Sequence, residues 1–158
     1  MNQITVRSVS AYLAIKGAAD AIEFYKKAFG AQEDFRLVDP VDGRIGHAEL
    51  LLGGYRLYIS DEYPDFGALS PDSLGGTTVK FHLDVDNVDL FIAHAVDCGA
   101  LLLRQPKVEF HGYRTGMIVD PYGYSWFVAT KVSDVGPDEM QRKWTSMASE
   151  HGFEPETA

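Results

Sequence analysis

The chain has a single cysteine, Cys98, so no internal disulfide can form and stability does not rest on an oxidising compartment. It is also short of positive charge: 14 Lys and Arg against 23 Asp and Glu give a formal charge of −9. No basic stripe is present to neutralise phosphates, which argues against a nucleic-acid partner. No apolar run approaches the length that spans a bilayer, and the opening MNQITVRS lacks the apolar core of a secretory signal. The expectation is therefore a cytoplasmic protein with neither nucleic-acid nor membrane partners. Motifs of familiar chemistry are missing too: there is no nucleophile elbow, no phosphate-cradling Gly loop and no Cys/His pair. Cys98 ends a helix-like stretch on its apolar side, beside Gly99, and reads as packing. What is present is 158 residues, 46% hydrophobic and 23% charged. That is one ordinary globular domain, or two small modules sharing a core.

The stretch Gly112 to Thr130, GYRTGMIVDPYGYSWFVAT, is a hairpin signal. Two apolar runs flank Asp120-Pro121-Tyr122-Gly123, where Pro121 fixes φ early in the turn and Gly123 can take a positive φ. A degenerate copy lies earlier, in His47 to Asp61, with Gly53-Gly54 at the joint. The offset that lays Gly54 on Gly123 also lays Tyr55 on Tyr124, Leu57 on Trp126 and Gly30-Ala31 on Gly99-Ala100. One offset serving separate landmarks indicates two copies of one supersecondary unit.

Taken in order, Val6 to Ile15 reads as a strand and Ala18 to Phe29 as a helix, with Asp20 and Glu23 early, Lys26-Lys27 late and Gly30 as its stop. Gln32 to Val38, Ile45 to Leu52 and Tyr55 to Asp61 read as three further strands. Module one, residues 6–61, is thus β-α-β-β-β. Residues 62–76 carry two prolines and three glycines and read as a loop between modules. Module two, residues 77–130, repeats the pattern: a strand from Thr77 to Val85, a helix from Val88 to Cys98, a ragged strand from Leu101 towards Phe110, and the hairpin. Pro137 opens a C-terminal helix over 137–150 with a Met140, Trp144, Met147 stripe, which reads as a docking face; the tail 153–158 is expected to fray. The fold class is α+β: two tandem βαβββ modules forming a curled mixed sheet around a cavity, plus this helix.

The segments AIEFYKKAFGA (Ala21 to Ala31), GHAEL (Gly46 to Leu50) and DPYGYSW (Asp120 to Trp126), in tandem units over about residues 6–130, resemble the vicinal oxygen chelate superfamily of glyoxalase I, extradiol dioxygenases and bleomycin-resistance proteins, and most closely its PhnB-like branch. The resemblance implies a sheet-lined cavity, a homodimer, and metal ligands on the first and last strand of each module. Carried over by position, those ligands fall on Ser10, Tyr58, Lys80 and Phe127. None of the four suits a divalent metal, since imidazole, carboxylate or thiolate is wanted. A usual metal site, and any cofactor, is therefore not expected.

Strand alternation assigns the cavity face. With Leu57, Ile59, Ala48, Leu50 and Leu52 packed on the helix, Arg56, Tyr58, Ser60, His47 and Glu49 face the other way. In module two Phe81, Leu83 and Val85 pack inward, leaving Lys80, His82 and Asp84 opposite. The expected ligand-binding set is Ser10, Tyr12, His47, Glu49, Tyr58, Lys80, His82 and Phe127, with Arg114 in the connection at the mouth either a holder of anionic groups or a solvated loop arginine. His47, Glu49 and His82 are the candidates for catalysis, or for a displaced metal site in a lyase, isomerase or dioxygenase. A Lys80–Glu49 ion pair is the plainer alternative. His94 reads as surface or packing, and His151 as uninvolved. The leading expectation is a metal-independent protein binding a small organic ligand, as a homodimer that uses the 62–76 loop and the Met/Trp helix as interface elements.

Overall fold

The computed structural model describes residues 4–150. His151 and the tail 153–158 lie outside the described residues. Module one comprises β1 (Ala11–Ile15), α1 (Ala18–Phe29), β2 (Gln32–Val38), β3 (Ile45–Leu52) and β4 (Tyr55–Asp61). A single 3-10 turn (Pro64–Phe66) and the short α2 (Pro71–Leu74) occupy the connection. Module two comprises β5 (Lys80–Asp84), α3 (Val88–Asp97), β6 (Leu101–Val108), β7 (Tyr113–Val119) and β8 (Ser125–Lys131), and α4 (Pro137–Glu150) follows. Each module forms its own four-stranded mixed sheet, in the orders β1-β4-β3-β2 and β5-β8-β7-β6, so the repeat inferred from the hairpins is the architecture. The two sheets do not join into one.

The modules meet through their helix-covered faces. Tyr25 and Phe29 of α1 pack on Trp126 of β8, and Phe29 also packs on Phe91 of α3. Leu13, Ile22, Leu50 and Ile59 of module one share one buried core with Ile92, Ile118, Trp126 and Val128 of module two. Asp120 pins this junction. Its carboxylate accepts from Tyr25 Oη at 2.7 Å, Trp126 Nε1 at 2.9 Å and the Tyr122 and Tyr124 amides at 2.9 and 3.0 Å. Burial pushes the Asp120 carboxyl up while those donors pull it down.

The two helices are tied by repeat-equivalent residues. Gly17, at φ 86°, gives α1 no capping side chain. Asp61, at the end of β4, caps it remotely by accepting from the Gly17 and Ala18 amides at 3.1 and 2.9 Å. The offset of the repeat lays Asp61 on Thr130, whose hydroxyl accepts from the Val88 amide at the start of α3 at 2.8 Å. There the helix also has its own cap, Asn87.

Three details differ from the sequence reading. β1 and β5 start at Ala11 and Lys80, later than Val6 and Thr77. The 62–76 segment has local structure: Tyr63 bridges Ala68, Ser70 Oγ accepts from the Ser73 amide, and Glu62 Oε1 accepts from the Ser70 amide. Pro71 at the first turn of α2 preorganises it. The ragged stretch after Leu101 is one strand with register shifts on either side of Arg104, which hid its pattern.

Candidate functional site

The faces turned away from the shared core carry the polar side chains. In the first sheet, β1 and β4 run parallel with Tyr12 opposite Tyr58, and Glu49 lies opposite both Tyr58 and Phe35. His47, one pleat along β3, sits among three rings, with centroids 5.5 Å from Tyr12, 5.3 Å from Tyr58 and 5.8 Å from Phe35. Its Nδ1 is 2.6 Å from Tyr12 Oη and its Nε2 3.4 Å from Glu49 Oε1. In the tautomer protonated on Nε2, Tyr12 donates to the ring and the ring points its proton at Glu49. Glu49 is held in turn by Arg56, which also reaches Asp34 at 2.7 Å. Desolvation raises the Tyr12 phenol, so it is a protonated donor at neutral pH. This chain can orient a polar ligand group and pass a proton through His47.

Tyr12 also lines a cleft of about 650 Å³ together with Ser60, Tyr63, Phe66, Leu69 and Tyr124. The wall opposite the sheet is the 62–70 segment, and Tyr124 of module two closes one end with its hydroxyl donated to the Ala14 carbonyl at 3.0 Å. The Arg44 guanidinium lies 4.1 Å over the Tyr63 ring and donates to the Glu62 carbonyl, which fixes that wall.

In the second sheet, strand register sets His82, Phe127, Met117 and Arg104 in one row across all four strands. Phe127 has the Lys80 ammonium 5.7 Å and the Arg104 guanidinium 5.5 Å from its ring centroid. Arg104 donates to Thr115 Oγ1 at 2.9 Å and pairs with Glu109 at 3.1 Å, while its buried Nε has no partner.

The sequence-derived set is thus divided. Tyr12, His47, Glu49 and Tyr58 converge on the first sheet; Lys80, His82 and Phe127 gather on the second. Among the described residues no hydrogen bond, ion pair or ring contact joins the two groups. The physical reason is the packing: both helix-covered faces line one core, so the opposite faces point apart. Ser10 lies just before β1, and Tyr12 rather than Ser10 stands opposite Tyr58. The Lys80–Glu49 pair does not form, because Arg56 takes Glu49. Arg114 lies on β7, committed to a bidentate pair with Asp89 at 2.7 and 2.8 Å rather than free for a ligand. His94 Nε2 is 2.9 Å from the Lys27 carbonyl and ties α3 to α1, in keeping with a packing role.

The metal that the fold implies does not fit these residues. The strand-paired positions are Tyr12 with Tyr58 and His82 with Phe127, which together offer one imidazole and no carboxylate. His47, Glu49 and His82 do not converge, and among the described residues no three His, Cys, Asp or Glu side chains do. The sequence reading missed Arg104 and the Tyr63 wall. Neither had a signal: one lay in an irregular strand and the other in a loop whose path the pattern does not fix.

The model of the Glyoxalase/Bleomycin resistance protein/Dioxygenase superfamily matches residues 4–128. The chain belongs to that superfamily. An uncharacterized protein of Mycobacterium bovis is 36% identical over 142 residues, covering 88% of this chain and 93% of its own. A protein of Arabidopsis thaliana is 32% identical over 120 residues, covering 71% of this chain and 70% of its own. An Arabidopsis thaliana X-ray structure superposes with a TM-score of 0.64 at 27% identity, over 79% of this chain and 99% of the other. A Bacillus cereus PhnB protein, described as a putative 3-demethylubiquinone-9 3-methyltransferase, superposes with a TM-score of 0.62 at 18% identity over 78% and 99%. At that identity it supports the fold alone. No helix among the described residues is long and apolar enough to cross a membrane.

Proposed function

We propose that this superfamily member is a metal-independent small-molecule-binding protein that works as a cytoplasmic homodimer. The observation that carries the reading is the Tyr12–His47–Tyr58 ring cluster, with its Glu49–Arg56 charge pair, beside the 650 Å³ cleft. Apolar rings with a few fixed polar groups are what a small organic ligand requires. A homodimer gives the divided set a use: the first-sheet face of one copy and the second-sheet face of the other would wall a single cavity. In support, both faces carry exposed apolar side chains, Phe35 and Leu37 on β2 and Leu101 on β6. Gel filtration is expected to show a dimer at micromolar concentration; a monomer would sink that part.

The test of binding is a melting screen with organic ligands and, separately, divalent ions. A ligand present at about 100 times its Kd adds about 2.7 kcal/mol. For a chain this size that is a rise of roughly 5–10 °C in Tm. Organic hits whose shift is lost in His47→Ala would support the reading. A stoichiometric rise with zinc, nickel or manganese and none with organic ligands would overturn it. The rival, an acid–base enzyme, draws on the same Tyr12–His47–Glu49 chain. Conversion of a bound ligand that stops in His47→Gln while binding persists would put the enzyme in its place.

A further inference from the structure

We infer that the outward face of the second sheet is an anion site, which takes a carboxylate or phosphate carried on an apolar, preferably aromatic, body. The inference rests on the binding reading above and adds the class of group that is bound. The face is more cationic than the chain around it. Lys80, Arg104 and Lys107 stand against Asp84 and Glu109 there, in a protein whose formal charge is −9. Glu109 lies between two of the cations, 3.1 Å from Arg104 and 3.8 Å from Lys107. Lys80 has no carboxylate partner among the described residues, and its ammonium lies 5.7 Å from the Phe127 ring centroid.

Arg104 marks the centre of the site. Two of its nitrogens are satisfied by Glu109 and Thr115, but the buried Nε meets no acceptor. Buried guanidinium donors without acceptors are costly and uncommon. Turning this group towards an anion therefore breaks no bond at Nε and supplies the acceptor it lacks. The two oxygens of a carboxylate, or two of those of a phosphate, match the fork of the guanidinium. Phe127 and Met117, in the same row, provide the floor for an apolar body, and His82 opposite Phe127 adds a further donor. The equivalent row of the first sheet is Tyr12, Tyr58, Glu49 and Phe35, with no cation in it. The anion preference thus belongs to the second module only.

The experiment is an amide chemical-shift titration of the full chain with benzoate, with inorganic phosphate, and with benzylamine as the cationic isostere. Benzoate is expected to shift the amides of Lys80, His82, Arg104, Met117 and Phe127, phosphate to shift them more weakly, and benzylamine to leave them unmoved. Lys80→Met and, separately, Arg104→Gln are each expected to weaken benzoate roughly tenfold, as loss of one charge-assisted contact does. Lys80 is exposed, so its variant folds and keeps the test valid even where Arg104→Gln does not. Equal shifts with benzylamine, or benzoate affinity unchanged in Lys80→Met, would overturn the anion site. Phosphate acting as strongly as benzoate would overturn the role given to Phe127. Benzoate shifts confined to β1–β4 would leave the binding reading standing and sink this one. Shifts at β5–β8, with no organic hit in the melting screen acting through His47, would do the reverse.

Discussion

Replacing Asp120 with alanine tests how the two modules are held together. The carboxylate joins α1 of the first module to the final hairpin of the second by accepting from four donors at 2.7 to 3.0 Å. Two of these, Tyr25 Oη and Trp126 Nε1, belong to side chains with 0% and 1% exposure, so water cannot replace the lost acceptor. Each orphaned buried donor costs about 1–3 kcal/mol. Relief from burying a carboxylate offsets part of this, and we expect Asp120→Ala to lose about 2–5 kcal/mol. Asparagine should not rescue it. Oδ1 accepts from two amides and Oδ2 from the two side chains, so an NH₂ at either position confronts two donors. Tyr25→Phe should cost about 1.5–3 kcal/mol in the wild-type background, as a hydrogen bond to a charged group does. In the Asp120→Ala background it should cost almost nothing, because its partner has gone. Urea unfolding of the four proteins, followed by tryptophan fluorescence, closes the cycle. If Tyr25→Phe costs the same in both backgrounds, Asp120 does not couple the modules and the account of the junction fails.

Other expectations concern the caps, the tyrosines and the close packing of α3. Asp61→Ala should cost about 1–3 kcal/mol and Thr130→Val about 1 kcal/mol. The order follows because Asp61 also holds the Ile45 amide and α1 lacks a cap of its own, whereas α3 keeps Asn87; thermal melts reversing it would refute the remote cap. Burial pushes Tyr124 up to about 12, and burial beside the Asp120 carboxylate holds Tyr25 well above the usual phenol range. A folded pKa above the unfolded 10.0 means the contribution of Tyr124 to stability is complete below pH 10 and is lost as pH rises through about 12. Phenolate absorbance should show a late-titrating class that shrinks in Tyr124→Phe; uniform titration near pH 10 would contradict the burial. A Cβ at Gly116 would lie 2.5 Å from Ile92 Cδ1 and 3.1 Å from the Arg104 carbonyl, so Gly116→Ala should cost about 1–3 kcal/mol through displacement of α3. An unchanged urea midpoint would refute that.

The repeat was legible because turn chemistry survives divergence better than side chains do. Gly54 and Gly123 both take a positive φ, at 82° and 90°, which alternatives to glycine seldom adopt, so one offset stays visible in both hairpins. Face assignment was legible for the same kind of reason. Leu57, Ile59, Ala48 and Leu50 alternate with Arg56, Tyr58, His47 and Glu49, and burial follows that alternation. What could not be read was which faces meet. Period two states that Tyr58 and Phe127 lie opposite their helices, but not whether those faces enclose one space or point apart; Tyr25 and Phe29 packing onto Trp126 decides it. The site partners that strand pattern missed came from irregular places, Arg104 between two register shifts and Tyr63 in a loop.

Divergence between the modules follows from that packing. The inner faces share one core, so Tyr25, Trp126 and Asp120 constrain one another across the repeat and neither module can change there alone. The outer faces make no contact with each other among the described residues and were free to differ. The first became a ring-lined chain running from Tyr12 through His47 to Glu49, beside a cleft; the second kept cations around an aromatic ring. In the proposed homodimer a second copy would set the two faces opposite each other, and a ligand with one ringed end and one anionic end would use both. On that reading, a variant that stays monomeric should retain benzoate shifts on β5–β8 and lose ligand stabilisation that depends on both His47 and Lys80.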